Sequence, residues 1–177
     1  MNSTVKMISL LCFVKIILDT KICALLLLLN TVLAPISVAA RYKPTITVAQ
    51  DDTIIFANDE PEVILKVKNV NAGYKERNLP SAPKLVCIGS DIDNLRQKYL
   101  VIYDNLRYEL SSAARATDVL IKLTAVLNLP YSKLSKLVWH FLSGVVYKIP
   151  QRESYAAIDQ IRRFLDANSS TTNCSPP

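Results

Sequence analysis

From Ile92 onwards apolar residues recur at steps of three and four, and this periodicity constrains the chain more than any other feature. Ile92, Leu95, Tyr99, Ile102, Leu106 and Leu110 mark one face of a helix about six turns long. Ser90 stands at the expected N-cap, and Asp91 and Asp93 fall in a first turn, where the helix dipole favours negative charge. A second periodic segment, Thr117 to Leu129, runs through Leu120, Leu123 and Leu127 and ends at Pro130. A third begins near Ser132, turns Leu134, Leu137, Phe141 and Val145 inward, and stops before Pro150. The last spans about Glu153 to Ala167 on Tyr155, Ile158, Ile161 and Leu165. Four helical segments with short connections predict an all-α fold, an antiparallel four-helix bundle.

The stretch before Cys87 has a different texture. Pro44, Pro61, Pro80 and Pro83 interrupt it, and the β-branched runs Thr45 to Val48 and Thr53 to Phe56 are short. Pro61 suits the first turn of a short helix from Glu62 to Val70, while the alternation of Val63, Leu65 and Val67 suits an edge strand equally well. Asn78 to Pro83 reads as an exposed linker.

The N-terminus holds two apolar runs, Met7 to Leu18 and Cys23 to Ala40, parted by Asp19-Thr20-Lys21. The second is broken by Asn30 and Pro35, and Val38-Ala39-Ala40 supplies small residues at signal-peptidase spacing. A cleaved secretory leader over residues 1–40 is the first expectation. The alternatives are an uncleaved type II anchor, with Lys15 and Lys21 on the cytoplasmic side, or a cut near Lys21 that keeps the Leu-rich stretch. The expected layout is therefore a leader over 1–40, an irregular segment and linker over 41–86, a bundle core over 87–168 and a polar tail over 169–177.

Cleavage after Ala40 would leave Cys87 and Cys174, and an even pair in a secreted protein points to a disulfide. Such a bridge, closing a loop of roughly 87 residues, contributes on the order of 4 kcal/mol in the chain-entropy model. Two unrelated cysteines, one joined to another chain, is the plainer alternative. Asn168-Ser169-Ser170 is an N-glycosylation acceptor in the polar tail.

Charge and composition exclude several functions. The net charge of +6 falls to +4 once the leader's three Lys and one Asp are removed, and Lys and Arg are scattered singly among acidic residues, unlike the patch of a nucleic-acid binder. Only three Gly occur, without a GxGxxG or GxxxxGK[ST] pattern. His140 is the one histidine, so any metal site or hydrolytic triad built on histidine would depend on it. No Asp or Glu lies between Asp118 and Glu153, which leaves His140 without a local partner and makes a structural role the expectation. No catalytic, cofactor-binding or metal site is predicted, and the chain is expected not to be an enzyme. Tyr99, Tyr103 and Tyr108 read first as core and flanking residues of a helix rather than as a stacking platform. Arg162 and Arg163, with Arg152 before them, form the densest basic feature of the C-terminal half; they are either a solvated face or anchors for an acidic partner.

Two segments add a resemblance. Cys87-Ile-Gly-Ser-Asp-Ile-Asp-Asn-Leu-Arg-Gln-Lys-Tyr99 resembles the cysteine-led helix of the interleukin-12 alpha chain family, and Ala157-Ile-Asp-Gln-Ile-Arg-Arg-Phe-Leu-Asp-Ala-Asn168 is similar to that family's final helix. Ala116 to Asn128 matches the pattern of its preceding bundle helix. The resemblance covers about residues 87–168 and implies a secreted, long-chain helical cytokine of the interleukin-6 type. It would be disulfide-linked to a receptor-like beta subunit and would bind cytokine receptor chains in immune signalling, without nucleic acid, cofactor or membrane. The family's last-helix arginine, which enters an acidic pocket of the beta chain, falls on Gln160, so Arg162 or Arg163 would have to replace it. Those three residues, with Tyr103 and Tyr108, are the expected partner-binding set. The family's first long helix has only a weak counterpart in 41–86, and a cut near Lys21 would let the run from Cys23 fill that role, with Cys23 as the partner of Cys87. A monomeric secreted growth factor, and an anchored or secreted structural domain without a receptor, are the alternatives.

Overall fold

A computed structural model describes residues 3–38 and 42–169 and shows a mixed α/β chain. The elements are α1 (Ser3–Val32), α2 (Ile46–Thr53), β1 (Ile55–Ala57), α3 (Glu60–Glu76), β2 (Lys84–Ile88), β3 (Tyr99–Tyr103), β4 (Leu106–Leu110), α4 (Ala113–Val126), α5 (Lys136–Phe141) and α6 (Ala156–Ser169). A π-helix, Leu142–Val146, continues α5. The expected all-α four-helix bundle is thus corrected: four strands form one sheet in the order β1-β2-β3-β4, with β1 and β2 parallel and the other pairs antiparallel.

The error lies in the segment with the clearest helical spacing. Ile92 to Leu110 is a loop followed by the β3-β4 hairpin. Tyr99-Leu-Val-Ile-Tyr103 is an unbroken apolar run, and a strand covered on both faces needs such a run because its side chains alternate. Tyr99 and Val101 join Leu85 and Cys87 in a core with α1, α4 and α5, whereas Leu100 packs with Val86 and Ile88 against Val63 and Val67 of α3. β2 is buried along its whole length. Gly89, at φ 152°, sets the path that follows: a Cβ there would stand 2.3 Å from the carbonyl oxygen of Asn94, so only glycine allows the chain to fold back this tightly. The Asp91 carboxylate, placed by sequence in a helical first turn, instead accepts from the amides of Asp93 and Asn94 and closes the loop.

Helical expectations hold elsewhere with altered ends. α4 carries Leu120 inward from the N-cap Ser112, and α5 with its π-helix buries Leu137, Phe141 and Val145. α6 buries Ile158, but Leu165, expected to face inward, is exposed, and so is its neighbour Phe164. Of the two readings left open around Pro61, the helix is the one formed, and it is longer than expected: Asp59 caps α3, Pro61 occupies its first turn, and the helix runs to Glu76.

From Asp19 on, α1 is built into the core. Cys23, Leu26, Leu29 and Leu33 are buried in the same cluster as Leu85, Tyr99 and Trp139. Asp19 Oδ1 accepts from the Ala113 amide at 2.9 Å, setting a carboxylate at the positive end of α4. Asn30 donates to Thr53 at 2.9 Å and Gln50 donates to the Leu27 carbonyl at 3.1 Å, tying α1 to α2. The outer face keeps Leu18, Leu25, Leu28 and Val32 exposed. Among the described residues, no helix is long and apolar enough to cross a membrane.

A buried polar network locks the opposite side of α2. Asp52 and Lys84 are each 2 % exposed and pair at 2.8 Å. Tyr74 and Ser132 complete the shell: Tyr74 donates to Asp52 at 2.8 Å, and Lys84 donates to Ser132 at 2.8 Å. Ser135 gives Asp52 both its amide and its hydroxyl, and in turn accepts from the Trp139 indole at 3.0 Å. The Lys84 ammonium also lies 3.9 Å from the Tyr74 ring centre. Each charge therefore meets several polar groups, which is the condition under which a buried ion pair is tolerated.

Candidate functional site

Two hollows in the described structure adjoin His140. One, of about 430 Å³, is lined by His140, Lys148, Gln151, Tyr155, Asp159 and Arg162 among others. Its neighbour, of about 370 Å³, is lined by Tyr131, Lys133, Lys136, Arg152 and Glu153 and shares His140 and Gln151. Together they form a cleft between the α5 and π-helix segment, the connection after it, and α6.

Local sequence explains the shape. α5 passes into a π-helix, a local widening that recurs at functional sites. Gly144 sits in this segment, and a Cβ on it would stand 2.9 Å from Gln151 Cγ, so glycine is what admits the Gln151 side chain to the cleft. Ile149 and Pro150 then turn the chain, and Gln151 Nε2 donates to the Ile149 carbonyl at 2.9 Å. That bond orients the Gln151 carbonyl oxygen towards His140 Nδ1, 2.8 Å away. Nδ1 therefore carries the proton in neutral His140, and Nε2 is left as the acceptor.

His140 lies between two aromatic edges, with Tyr131 at 5.3 Å and Tyr155 at 5.1 Å between ring centres, both in tilted geometry. Burial pushes its pKa below the ordinary value; the Gln151 bond and Glu153 oppose this, while Lys136 and Lys133 reinforce it. Lys136 and the Tyr155 hydroxyl both donate to Glu153, and they hold its carboxyl down to about 2. Burial, followed by the neighbouring Lys136 charge, lowers Lys133. Glu153 neutralises Lys136, so the excess positive charge of the second hollow rests on Lys133 and Arg152.

A pH prediction follows from His140. Its unfolded form binds more protons than its folded form between the ordinary pKa near 6.5 and the depressed folded value. Stability from this site is therefore complete above about pH 6.5 and falls as the solution is acidified through that window. His140→Gln should flatten the dependence of the thermal midpoint on pH between about 7 and 5; an unchanged slope would show that His140 is not the group responsible.

The structure scatters the partner-binding residues expected from sequence. Arg162 lines the cleft and lies 3.8 Å from Asp159. Gln160 and Arg163 are exposed on the same helix, α6, outside the lining. Tyr103 ends β3 and Tyr108 lies in β4, paired in register with Val101, so neither stands on a helix face. Asn168 is exposed near the end of α6 and donates to the Phe164 carbonyl at 2.8 Å. Cys87 is buried in β2 with its sulfur 3.9 Å from that of Cys23, and Cys174 lies outside the described residues.

Sequence reading passed over the cleft because its members come from three separate stretches. Glu153 lies far from His140 in sequence, yet the turn at Ile149-Pro150 brings it beside Lys136, four residues before the histidine. The available signal was the cluster of Tyr131, Lys133, Lys136 and His140, followed after Pro150 by Gln151, Glu153 and Tyr155.

The Asp52 network is not a rival site. Lys84 and Ser132, 2.8 Å apart, have the spacing of a serine and its lysine base. A lysine acting as base needs a free lone pair, whereas Lys84 is engaged with Asp52, and all three side chains are buried.

Comparison with family models, curated proteins and solved structures yields no match.

Proposed function

We propose that this chain acts by binding rather than by catalysis, and that the His140 cleft receives an acidic segment of a partner protein. The observation carrying this reading is the positive charge that Lys133 and Arg152, neither in an ion pair among the described residues, bring to the hollow beside the aromatic-flanked His140. Carboxylates would pair with the two cations, and Arg162 extends the basic rim on the α6 side. The interleukin-12 alpha resemblance enters this reading only in its coarser part, recognition of a receptor or partner chain. Its cysteine-led helix, Cys87 to Tyr99, is strand and loop here, so the helical-bundle mode of presentation is set aside.

Fluorescence anisotropy with labelled hexaglutamate and hexalysine peptides tests the proposal. Hexaglutamate should bind more tightly, with an affinity that falls as salt rises. Reversing both charges, Lys133→Glu with Arg152→Glu, should weaken it about tenfold or more, while Lys68→Glu on the exposed side of α3 should leave it unchanged. Equal affinity for the two peptides, or indifference to the double reversal, would refute the assignment.

A further inference from the structure

We infer that Cys23 and Cys87 form a redox-responsive dithiol whose oxidation to a disulfide clasps α1 to β2. The two sulfurs lie 3.9 Å apart, on elements 64 residues apart in sequence. Both side chains are wholly buried, and both belong to the core cluster that α1 shares with the sheet. A disulfide needs a sulfur separation of about 2 Å, so closure requires a shift of about 2 Å shared between two side chains and the docked helix.

The surroundings explain what the bond would add. Asp19 precedes Cys23 by one helical turn, and Tyr99 pairs with Cys87 in register across β2 and β3. The Asp19 carboxylate and the Tyr99 hydroxyl are buried beside the two thiols and interact with each other, and burial, followed by the Asp19 charge, pushes the Tyr99 hydroxyl well above its ordinary value. A covalent link between Cys23 and Cys87 would fix α1 to β2 at this buried polar spot. The hydrogen bond to Cys23, then burial, push the Cys87 thiol well above its ordinary value, so the closed pair is a poor nucleophile. Exchange accordingly proceeds when α1 lifts locally from the sheet.

With oxidised glutathione as the electron acceptor, the chemistry balances. The Cys23 thiol loses its proton to water, and the thiolate attacks one glutathione sulfur. A Cys23–glutathione mixed disulfide forms, and one glutathione thiolate leaves and is reprotonated. While α1 is still lifted, the Cys87 thiol gives its proton to water, and its thiolate attacks the Cys23 sulfur and expels the second glutathione as a thiolate that is reprotonated; α1 then redocks with the disulfide in place. The protein gives up two hydrogens and two electrons, and one glutathione disulfide becomes two thiols. The pairing uses Cys87 internally, so it competes directly with a Cys87 to Cys174 bridge.

The full chain, folded and reduced, would be incubated in glutathione buffers of increasing oxidation, alkylated, digested and mapped by mass. The expected product is a Cys23–Cys87 cross-linked peptide two hydrogens lighter than its reduced parts and reopened by dithiothreitol. The thermal midpoint should rise by on the order of 10 °C on oxidation. Cys23→Ser should remove both the cross-link and the rise. A Cys87–Cys174 cross-link in the natural chain, or full alkylation of Cys23 and Cys87 after oxidising treatment, would overturn the inference. The mapping needs no variant, so it stands even where Cys23→Ser folds poorly.

Discussion

Lys84→Met should destabilise the fold by about 3–5 kcal/mol, because it strips Asp52 of its only ionic partner among the described residues and leaves a carboxylate buried. For a chain of this size the thermal midpoint should fall by about 10 °C or more. The Tyr74 and Ser135 hydrogen bonds to Asp52 remain and moderate the loss, but they cannot replace a neutralising charge. Lys84→Met combined with Asp52→Leu removes both charges, so the double variant should lose less than the two single losses added together. Urea unfolding of the four proteins measures this coupling. A single-variant loss below about 1 kcal/mol would mean that the pair is neither dry nor structurally important.

The second large effect concerns α1. A chain beginning at Arg41 should fail to unfold cooperatively, because it lacks Cys23, Leu26, Leu29 and Leu33 from the main core. Burying those side chains contributes on the order of 10 kcal/mol, comparable to the whole stability of an ordinary domain. The shortened chain would also expose the sheet face formed by Leu85, Cys87, Tyr99 and Val101. Leu26→Ala is the milder test, with an expected loss of about 2–5 kcal/mol. The near-ultraviolet dichroism of Trp139, buried in the same cluster, reports tertiary order directly. A sharp transition in the 41–177 chain, at a midpoint close to that of the full chain, would remove α1 from the core.

These two expectations show where sequence reading works and where it stops. The apolar run Cys23 to Leu33 is visible at once, but a leader and a core helix both need leucines. Asp19 and Asn30 interrupt the apolar course of this region, and in the folded chain they are buried hydrogen-bonding groups. In the same way Ile92, Leu95, Tyr99, Ile102, Leu106 and Leu110 match helical spacing, although Tyr99 to Leu110 also reads as two strands joined at Asp104-Asn105. Asp104 adopts φ 50°, a left-handed conformation that Asp tolerates, and the hairpin closes there. The deciding energy is the pairing of β3 with β2 and the burial of both faces, and neither is a property of the local segment.

The cleft divides along similar lines. Arg162, which sequence alone leaves as either a solvated face or an anchor, lines the cleft and lies 3.8 Å from Asp159. His140 has no carboxylate close to it in sequence, and it is the turn that Ile149 and Pro150 create that brings Glu153 into the lining of the same hollow.

Short-range chemistry wrote several features directly into the chain: the caps Asp59 and Ser112, Pro61 in the first turn of α3, and the amphipathic course of α4 and α6. Each depends on groups within about four residues of one another, which sequence spacing reports faithfully. Asp52 with Lys84, Cys23 with Cys87, and His140 with Gln151 are a different matter. Their partners are 32, 64 and 11 residues apart; the first two pairs meet because one sheet is covered on both faces by helices that carry no local mark of where they will dock, and the third because the chain turns at Ile149 and Pro150.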